Sequence, residues 1–258
     1  MIRYFILLGF VFALNTNPSF GQTDEIETDR PGETESPFIV PENFIQIENG
    51  FSIDKQNGES KTYKIPSTLW KYGLNERFEF RLITELVSEK ENNKTETGLK
   101  PLTLGFKVNI CAEKGLIPMT SFIGHLTSTN LGSAAFHTPY FAPSFRFTMR
   151  RTLTEKISLG YNLGAEWDGE TAEPTFIYTL STELSFTKKL GGFVEVYGFA
   201  PQDSKADHNI DGGLTYLLNN NLMIDISGGY GLTENARDNF LSVGLSYRFT
   251  TRHNKHHI

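Results

Sequence analysis

The sequence is poor in cysteine and in long apolar runs. Its 258 residues include one cysteine, Cys111, which excludes an intramolecular disulfide framework and a zinc site built from several cysteines. After the N-terminal region no segment holds ~18 consecutive apolar residues, so a bundle of membrane-spanning helices is excluded. Basic residues number 24 against 30 acidic ones, and the sequence therefore gives no electrostatic reason to predict nucleic-acid binding.

Aromatic residues and glycine are abundant instead. The chain holds 21 Phe, 10 Tyr and 2 Trp, together 13% of all residues, and 23 glycines. A soluble domain draws its core mainly from Leu, Ile, Val and Ala, and a disordered chain has few aromatics, so neither class fits well. The length suits one large domain or two small ones.

Residues 1–21 have the features of a secretory signal peptide. Arg3 supplies the positive charge that precedes an apolar core at residues 5–14. This core is too short to span a bilayer as a helix. We therefore predict export with cleavage near Gly21/Gln22, the alternative being an uncleaved amphipathic N-terminus.

Both ends of the mature chain differ from its middle. Residues 22–42 are acidic, contain three prolines and show no periodicity, which predicts an irregular leader. Residues 251–258 form a polar tail that carries His253, His256 and His257. We expect this tail to be a disordered polar end, although three histidines also permit adventitious binding of a transition metal.

Between the leader and the tail, at residues 43–250, apolar residues recur at every second position. Leu241 and Val243, for example, alternate with Ser242 and Gly244. A period of two places the two sets on opposite faces of a β-strand. No helical pattern intervenes, which predicts an antiparallel sheet. The predicted strands are twelve segments: 43–54, 60–72, 77–86, 98–110, 117–127, 140–151, 156–167, 173–186, 192–200, 208–218, 222–231 and 238–250.

The two faces of these strands indicate where the protein resides. The polar face holds small residues and isolated charges of both signs, unlike the Lys- and Glu-rich face of a soluble sheet. The apolar face ends in aromatics such as Trp70, Trp167 and Phe249. We predict an all-β fold, an antiparallel closed outer-membrane β-barrel of about 12 strands with short periplasmic turns and longer extracellular loops. The alternative is a secreted soluble β-sandwich or barrel.

Specific motifs lie near both ends of the predicted barrel. They are TDRPGETESP at 28–37, FIQIENGF at 44–51, KYGLNERFEFR at 71–81, DISGGYGL at 225–232 and SYRF at 246–249. These motifs resemble the start, the second hairpin and the closing strands of a family of bacterial outer-membrane transporters labelled after the meta-pathway of phenol degradation. The resemblance covers most of residues 27–250. It implies a porin-like barrel that moves small molecules and implies no catalytic residues.

The polar face of the strands is predicted to line the barrel interior, the lumen. Its basic residues concentrate on the second to sixth predicted strands and its acidic residues on the seventh to eleventh. One interpretation is a structural network of ion pairs that fills a narrow lumen. The other is a pore whose charges select solutes. The predicted lumen residues are Lys71, Arg77, Glu79, Arg81, Glu85, Lys107, Arg146, Arg150, Glu166, Glu183, Glu195, Asp211, Asp225 and Arg248.

The charged leader has two possible positions. It either folds into the barrel as a plug, where it would pair with Arg77, Arg81 or Arg146, or lies loosely in the periplasm. An acidic segment beside a basic wall favours the plug. The predicted plug residues are Asp29, Arg30, Glu33 and Glu35.

A catalytic site is a further possibility, because some twelve-stranded barrels hydrolyse lipids. Ser121, His125 and Thr127 share one strand face, but no group that would orient the histidine is evident. Cys111 falls in a short turn and is interpreted as neutral. We therefore predict no enzymatic activity, no cofactor and no metal.

The sequence thus predicts an outer-membrane channel for passive passage of small polar or amphipathic molecules. The alternative is a non-conducting structural or adhesion barrel with a salt-bridged lumen. The expected partners are outer-membrane lipid, the barrel assembly machinery and an unidentified small-molecule solute, with no nucleic acid.

Overall fold

The computed structural model describes residues 24–56, 60–91 and 94–252. The signal segment and histidines 253, 256 and 257 lie outside these ranges. The described chain forms thirteen strands: β1 (Phe44–Gln56), β2 (Ser60–Asn75), β3 (Phe78–Glu91), β4 (Lys94–Leu99), β5 (Thr103–Cys111), β6 (Met119–Thr127), β7 (Ala142–Thr154), β8 (Ile157–Glu166), β9 (Thr175–Ser185), β10 (Leu190–Pro201), β11 (Asp207–Asn219), β12 (Leu222–Gly231) and β13 (Asn239–Thr250). A single 3-10 turn, Ala134–Phe136, precedes β7, and no described helix is long and apolar enough to cross a membrane.

The strands form a closed antiparallel ring. Consecutive strands pair along the chain except β4 and β5, and β1 pairs with β13 from Phe44↔Thr250 to Lys55↔Asn239. Strand β2 pairs with both β1 and β3, so the ring has no open edge. Strands β4 and β5 pair with successive parts of β3 and together fill one position of the ring. The predicted closed barrel of twelve strands is confirmed.

One predicted loop is instead strand. Residues 87–91 extend β3 and residues 94–97 form most of β4, so the two strands pair as a hairpin beyond the barrel wall. Apolar alternation is absent there, but polar pairs join the two strands across the hairpin. The Thr97 hydroxyl donates to Ser88 Oγ at 2.9 Å, and Lys100 Nζ lies 2.6 Å from Glu89 Oε1. Threonine and cross-strand charge pairs stabilise a strand without an apolar face.

The two ends of the barrel differ in their connections. Short turns lie at the end that also holds the start of β1 and the end of β13, which we call the turn end. The opposite end, which we call the loop end, carries the longer connections, including residues 128–141 and 232–238. This alternation of short and longer connections was predicted from the spacing of the segments.

Polar side chains fill the interior and apolar ones cover the outside. Glu79 and Lys107 are fully buried, whereas Leu104, Leu163 and Phe176 are each more than half exposed. The period-two alternation causes this inversion, because successive side chains of a strand point to opposite faces. An apolar exterior around a polar interior is the arrangement of a barrel that crosses a lipid bilayer.

Residues 26–41 of the leader lie inside the barrel, whereas Asp24, Glu25 and Glu42 are exposed. Ile26 N donates to the carbonyl of Asn220 at the turn end, and the chain leaves the interior where Asn43 N bonds the Gly73 carbonyl. Between these points Asp29 and Val40 are buried, although this segment forms no extended strand or helix. Side chains of the barrel wall therefore determine its conformation.

Candidate functional site

Asp29 of the leader lies at the centre of a buried cluster of charges. Its carboxylate oxygens lie 2.8 Å from Lys107 Nζ, 2.9 Å from Lys71 Nζ and 3.0 Å from Arg81 Nη1. Burial alone would raise the pKa of Asp29, but the charges of the three cations outweigh burial and hold this pKa well below its usual range. Asp29 is therefore ionised at neutral pH.

The barrel wall brings these cations together through strand register. Lys71 of β2 is the direct partner of Arg81 of β3, and Lys107 of β5 is the partner of Glu79. All four residues belong to the polar face that alternation points inward. Two adjacent cations repel each other unless a carboxylate lies between them. Asp29 supplies that carboxylate from the leader.

The other charged residues of the leader also pair with the wall. Arg30 Nη2 lies 2.9 Å from Asp225 Oδ1, and Glu33 Oε1 lies 2.6 Å from Arg146 Nη2. Glu35 Oε2 lies 2.7 Å from Arg81 Nη2. The four leader residues predicted to enter the barrel thus each pair with a wall residue of opposite charge.

Wall side chains also hydrogen-bond the leader backbone. Glu195 accepts hydrogen bonds from the backbone N–H groups of Glu33 and Thr34, and from the Thr34 hydroxyl at 2.5 Å. Asn162 accepts from the Glu35 N–H at 2.7 Å and donates to the Glu35 carbonyl at 3.0 Å. Buried backbone groups require such partners, and an irregular segment must obtain them from side chains.

One of the fourteen predicted lumen residues does not face the barrel interior. Arg77 lies in the exposed turn between β2 and β3, and its lumen position is wrong because the turn interrupts the alternation that the prediction extended through it. The other thirteen occupy the inward-facing positions of their strands: Lys71, Glu79, Arg81, Glu85, Lys107, Arg146, Arg150, Glu166, Glu183, Glu195, Asp211, Asp225 and Arg248.

The prediction omitted interior residues of β1 and of one loop. Glu48 is buried, accepts from the Asp29 N–H at 3.0 Å and lies 2.5 Å from Lys71 Nζ. Its position in FIQIENGF, two residues after the buried Gln46, was a sufficient signal. Arg237, which pairs with Asp54 at 2.7 Å, lies outside the strands and carried no periodic signal.

Two polar cavities approach the leader from opposite ends of the barrel. The turn-end cavity has a volume of about 240 Å³ and the loop-end cavity one of about 170 Å³. Both are lined by the leader residues Arg30, Pro31 and Gly32. We call residues 30–32 the septum, because they form a wall common to the two cavities.

The two candidate catalytic side chains, Ser121 and His125, have other partners. The Ser121 hydroxyl donates to the Pro37 carbonyl at 2.5 Å, and His125 Nε2 accepts from Arg81 Nε at 3.1 Å. Cys111 is a free thiol at the end of β5. Across residues 24–56, 60–91 and 94–252, no three His, Cys, Asp or Glu side chains are arranged to hold a metal ion.

A family model agrees with the fold and with the motifs. The model described as "Putative MetA-pathway of phenol degradation" matches residues 28–249. The chain belongs to this family. The resemblance seen in the sequence motifs is therefore confirmed, and comparison with curated proteins found no sequence match.

Solved structures similar to this family member include an outer-membrane channel and a porin. A channel from Pseudomonas putida F1 is 14% identical and has a TM-score of 0.64, with 85% of this chain and 99% of that chain covered. KdgM porin is 12% identical with a TM-score of 0.55, and the match covers 79% of this chain and 99% of that chain. At these identities the comparison establishes the barrel fold.

Proposed function

We propose that this protein is an outer-membrane channel through which small polar or amphipathic molecules diffuse, and that its leader, residues 22–42, acts as a plug. The observation that supports a channel most is the pair of polar cavities that meet at the septum. Each cavity approaches from one end of the barrel, and both are lined by residues 30–32. Displacement of this short segment would join the cavities into one path.

The interior charges give such a path its selectivity. Fixed cations and carboxylates along a pore attract and orient polar solutes. Arg150 and Glu183 line the turn-end cavity, and Lys64 and Arg237 line the loop-end cavity. No energy source is required for diffusion, and the proposal includes no catalytic step and no cofactor.

The proposed location is the bacterial outer membrane, with both chain ends in the periplasm. The signal segment would direct export, and the barrel assembly machinery would insert the barrel. Outer-membrane lipid would cover the exposed apolar face, which includes a groove of about 740 Å³ lined by Phe80, Phe106 and Phe122. One similar structure is that of KdgM porin in complex with oligogalacturonate, and transport measurements would identify the solute of this protein.

A non-conducting barrel is the second candidate. The observation that favours it is the ion-paired cluster around Asp29, which ties the leader to β2, β3 and β5. A lipid-hydrolysing enzyme is not supported, because the Ser121 hydroxyl donates to the Pro37 carbonyl and His125 accepts from Arg81.

Swelling of liposomes that contain the purified, folded barrel distinguishes these functions. We expect swelling in isotonic solutions of small sugars and amino acids, at rates that decrease as solute size increases. Liposomes with heat-denatured protein are the control. Swelling at the control rate for every solute, both with residues 22–42 present and with them deleted, would establish the non-conducting alternative, because a docked plug alone also blocks swelling.

A further inference from the structure

Four inward-facing cations of the barrel wall pair with carboxylates of the leader. They are Lys71 of β2, Arg81 of β3, Lys107 of β5 and Arg146 of β7, which we call the cation patch. Their side chains are at most 14% exposed. Cations buried in a barrel wall need partners of opposite charge, and here the leader supplies them.

The wall itself holds too few carboxylates for the cation patch. Glu48 and Glu79 of the wall pair with two of its members, at 2.5 and 3.3 Å. Within the described residues, Lys107 and Arg146 form ion pairs with leader carboxylates alone. Displacement of the leader therefore leaves two interior cations without a carboxylate, and an interior charge that has lost its partner is costly.

Lys107 depends most on the leader. Its ammonium group lies 2.8 Å from Asp29 Oδ1 and donates to the carbonyls of Ser36 at 2.7 Å and Phe38 at 3.2 Å. Its cross-strand neighbour on the wall, Glu79, pairs with another cation. The wall thus presents a fully buried cation whose carboxylate partner lies on the plug.

The arrangement of cations around Asp29 suits a carboxylate group. Oδ1 faces Lys107, whereas Oδ2 faces both Lys71 and Arg81. Charge-assisted hydrogen bonds to both oxygens are strong and orient the plane of the group. A chloride ion offers one atom in place of two. Asp29 directly precedes the septum, so the site that it occupies lies next to the junction of the two cavities.

We propose that the site of Asp29 in the wall binds the carboxylate group of a solute when the leader is displaced, and that the open channel prefers carboxylate-bearing solutes. This inference rests on the proposed function and names its substrate class. Solute and leader compete for the same cations, so the solute stabilises the open state by binding to that state alone. A neutral solute has no such differential affinity and leaves the leader docked.

Release of the leader by acetate tests the site. Cleavage of the purified full chain after Glu33 by a glutamate-specific protease, normalised to a free leader peptide, reports the released population. Sodium acetate replaces sodium chloride at constant ionic strength, and acetamide is the neutral comparison. One charge-assisted hydrogen bond suffices for a Kd of ~0.1 M, so the rate should at least double in ~0.1 M acetate. A rate that is equal in acetate, chloride and acetamide would overturn the proposal.

Two lysine variants locate the response. Lys107→Gln should remove most of it, because the two wall carboxylates then match the two cations that remain around the site. Lys64→Gln is the matched control, since Lys64 also faces inward but pairs with Glu85 of the wall at 3.4 Å. It should keep the wild-type response to acetate. Equal responses in the two variants would contradict a site at Lys107, and the wild-type comparison of acetate with acetamide decides the proposal even if a variant does not fold.

The same assay separates this inference from channel function, because release of the leader requires no conduction. An acetate response in a barrel that leaves liposome swelling at the control rate, with and without residues 22–42, would support the site and refute the channel. A channel that conducts without an acetate response would refute the site alone.

Reversal potentials measure the preference of the open channel. In a sodium acetate gradient the open events of the full chain should favour acetate over Na⁺. Lys107→Gln should lower this permeability ratio about fivefold, the factor that one charge at ~4 Å produces even in bulk water. Preference for Na⁺ in the wild-type protein would contradict the proposed substrate class.

Discussion

Replacement of Asp29 by asparagine should release the leader from the barrel. Asp29 is the carboxylate partner of Lys107, whose side chain is fully buried. Lys71 and Arg81 keep Glu48, Glu79 and Glu35 as partners in the variant, so the loss falls mainly on Lys107.

The size of the effect follows from the contacts that remain. Removal of one partner from a buried ion pair costs ~3–5 kcal/mol. Asparagine keeps an oxygen that can accept a hydrogen bond, and Lys107 keeps the carbonyls of Ser36 and Phe38, so we use the lower value. About 3 kcal/mol corresponds to a roughly hundredfold larger population of released leader.

Cleavage by a glutamate-specific protease measures that population. The leader contains Glu33 and Glu35, which the docked leader holds against Arg146 and Arg81. When opening and closing are fast relative to cleavage, the cleavage rate follows the equilibrium population of the open form. The rate after these residues should rise roughly a hundredfold in Asp29→Asn.

Glu25→Gln is the matched control, because Glu25 lies in the same segment with an exposed side chain. It should be cleaved after Glu33 at the wild-type rate. If Asp29→Asn and wild type were cleaved at rates within a factor of about two, the buried charge cluster would not hold the leader.

Two further predictions concern the leader and the lipid face. Burial of the docked leader raises the pKa of Glu27 from 4.5 to about 7. Between these pH values Glu27 is protonated in the docked leader but ionised in the released leader, so docking weakens as pH rises through this range. Cleavage after Glu33, normalised to a free leader peptide, should increase from pH 6 to pH 8 in wild type but stay constant in Glu27→Gln; equal pH profiles would contradict this. Leu180, 45% exposed at the middle of β9, faces lipid, and Leu180→Arg should lower the unfolding free energy in liposomes by ~2–4 kcal/mol. Ala172→Arg, in an exposed loop, should leave it unchanged, and equal losses in both variants would refute the lipid-facing assignment.

The sequence alone predicted the strands and the face of each residue well. Alternation is local, so residues 208–218 were recognised almost to the bounds of β11, Asp207–Asn219. It also predicted that Glu195 and Asp211 face inward. It failed where the pattern is weak or ends: at the polar hairpin of β3 and β4, and at Arg77 in its turn.

The contacts of the leader were beyond local patterns. Asp29 meets Lys71, Arg81 and Lys107, which follow it by 42, 52 and 78 residues. The leader has no periodicity that fixes its path, and each of its charged side chains had several wall residues of opposite charge as possible partners. Only the closed ring, which places these cations on neighbouring strands, determines which of them share one carboxylate.

A reversible lock on the leader is the most direct test of a plugged channel. The Thr34 and Thr179 hydroxyl oxygens are 2.8 Å apart, so cysteines at these positions would place two thiols in contact between the leader and the wall. The pair would be introduced into Asp29→Asn, with Cys111 replaced by serine. Single-channel recordings should show conductance steps in a reducing agent and none after oxidation. Equal conductance in both states, or no conductance in either, would contradict the plugged channel.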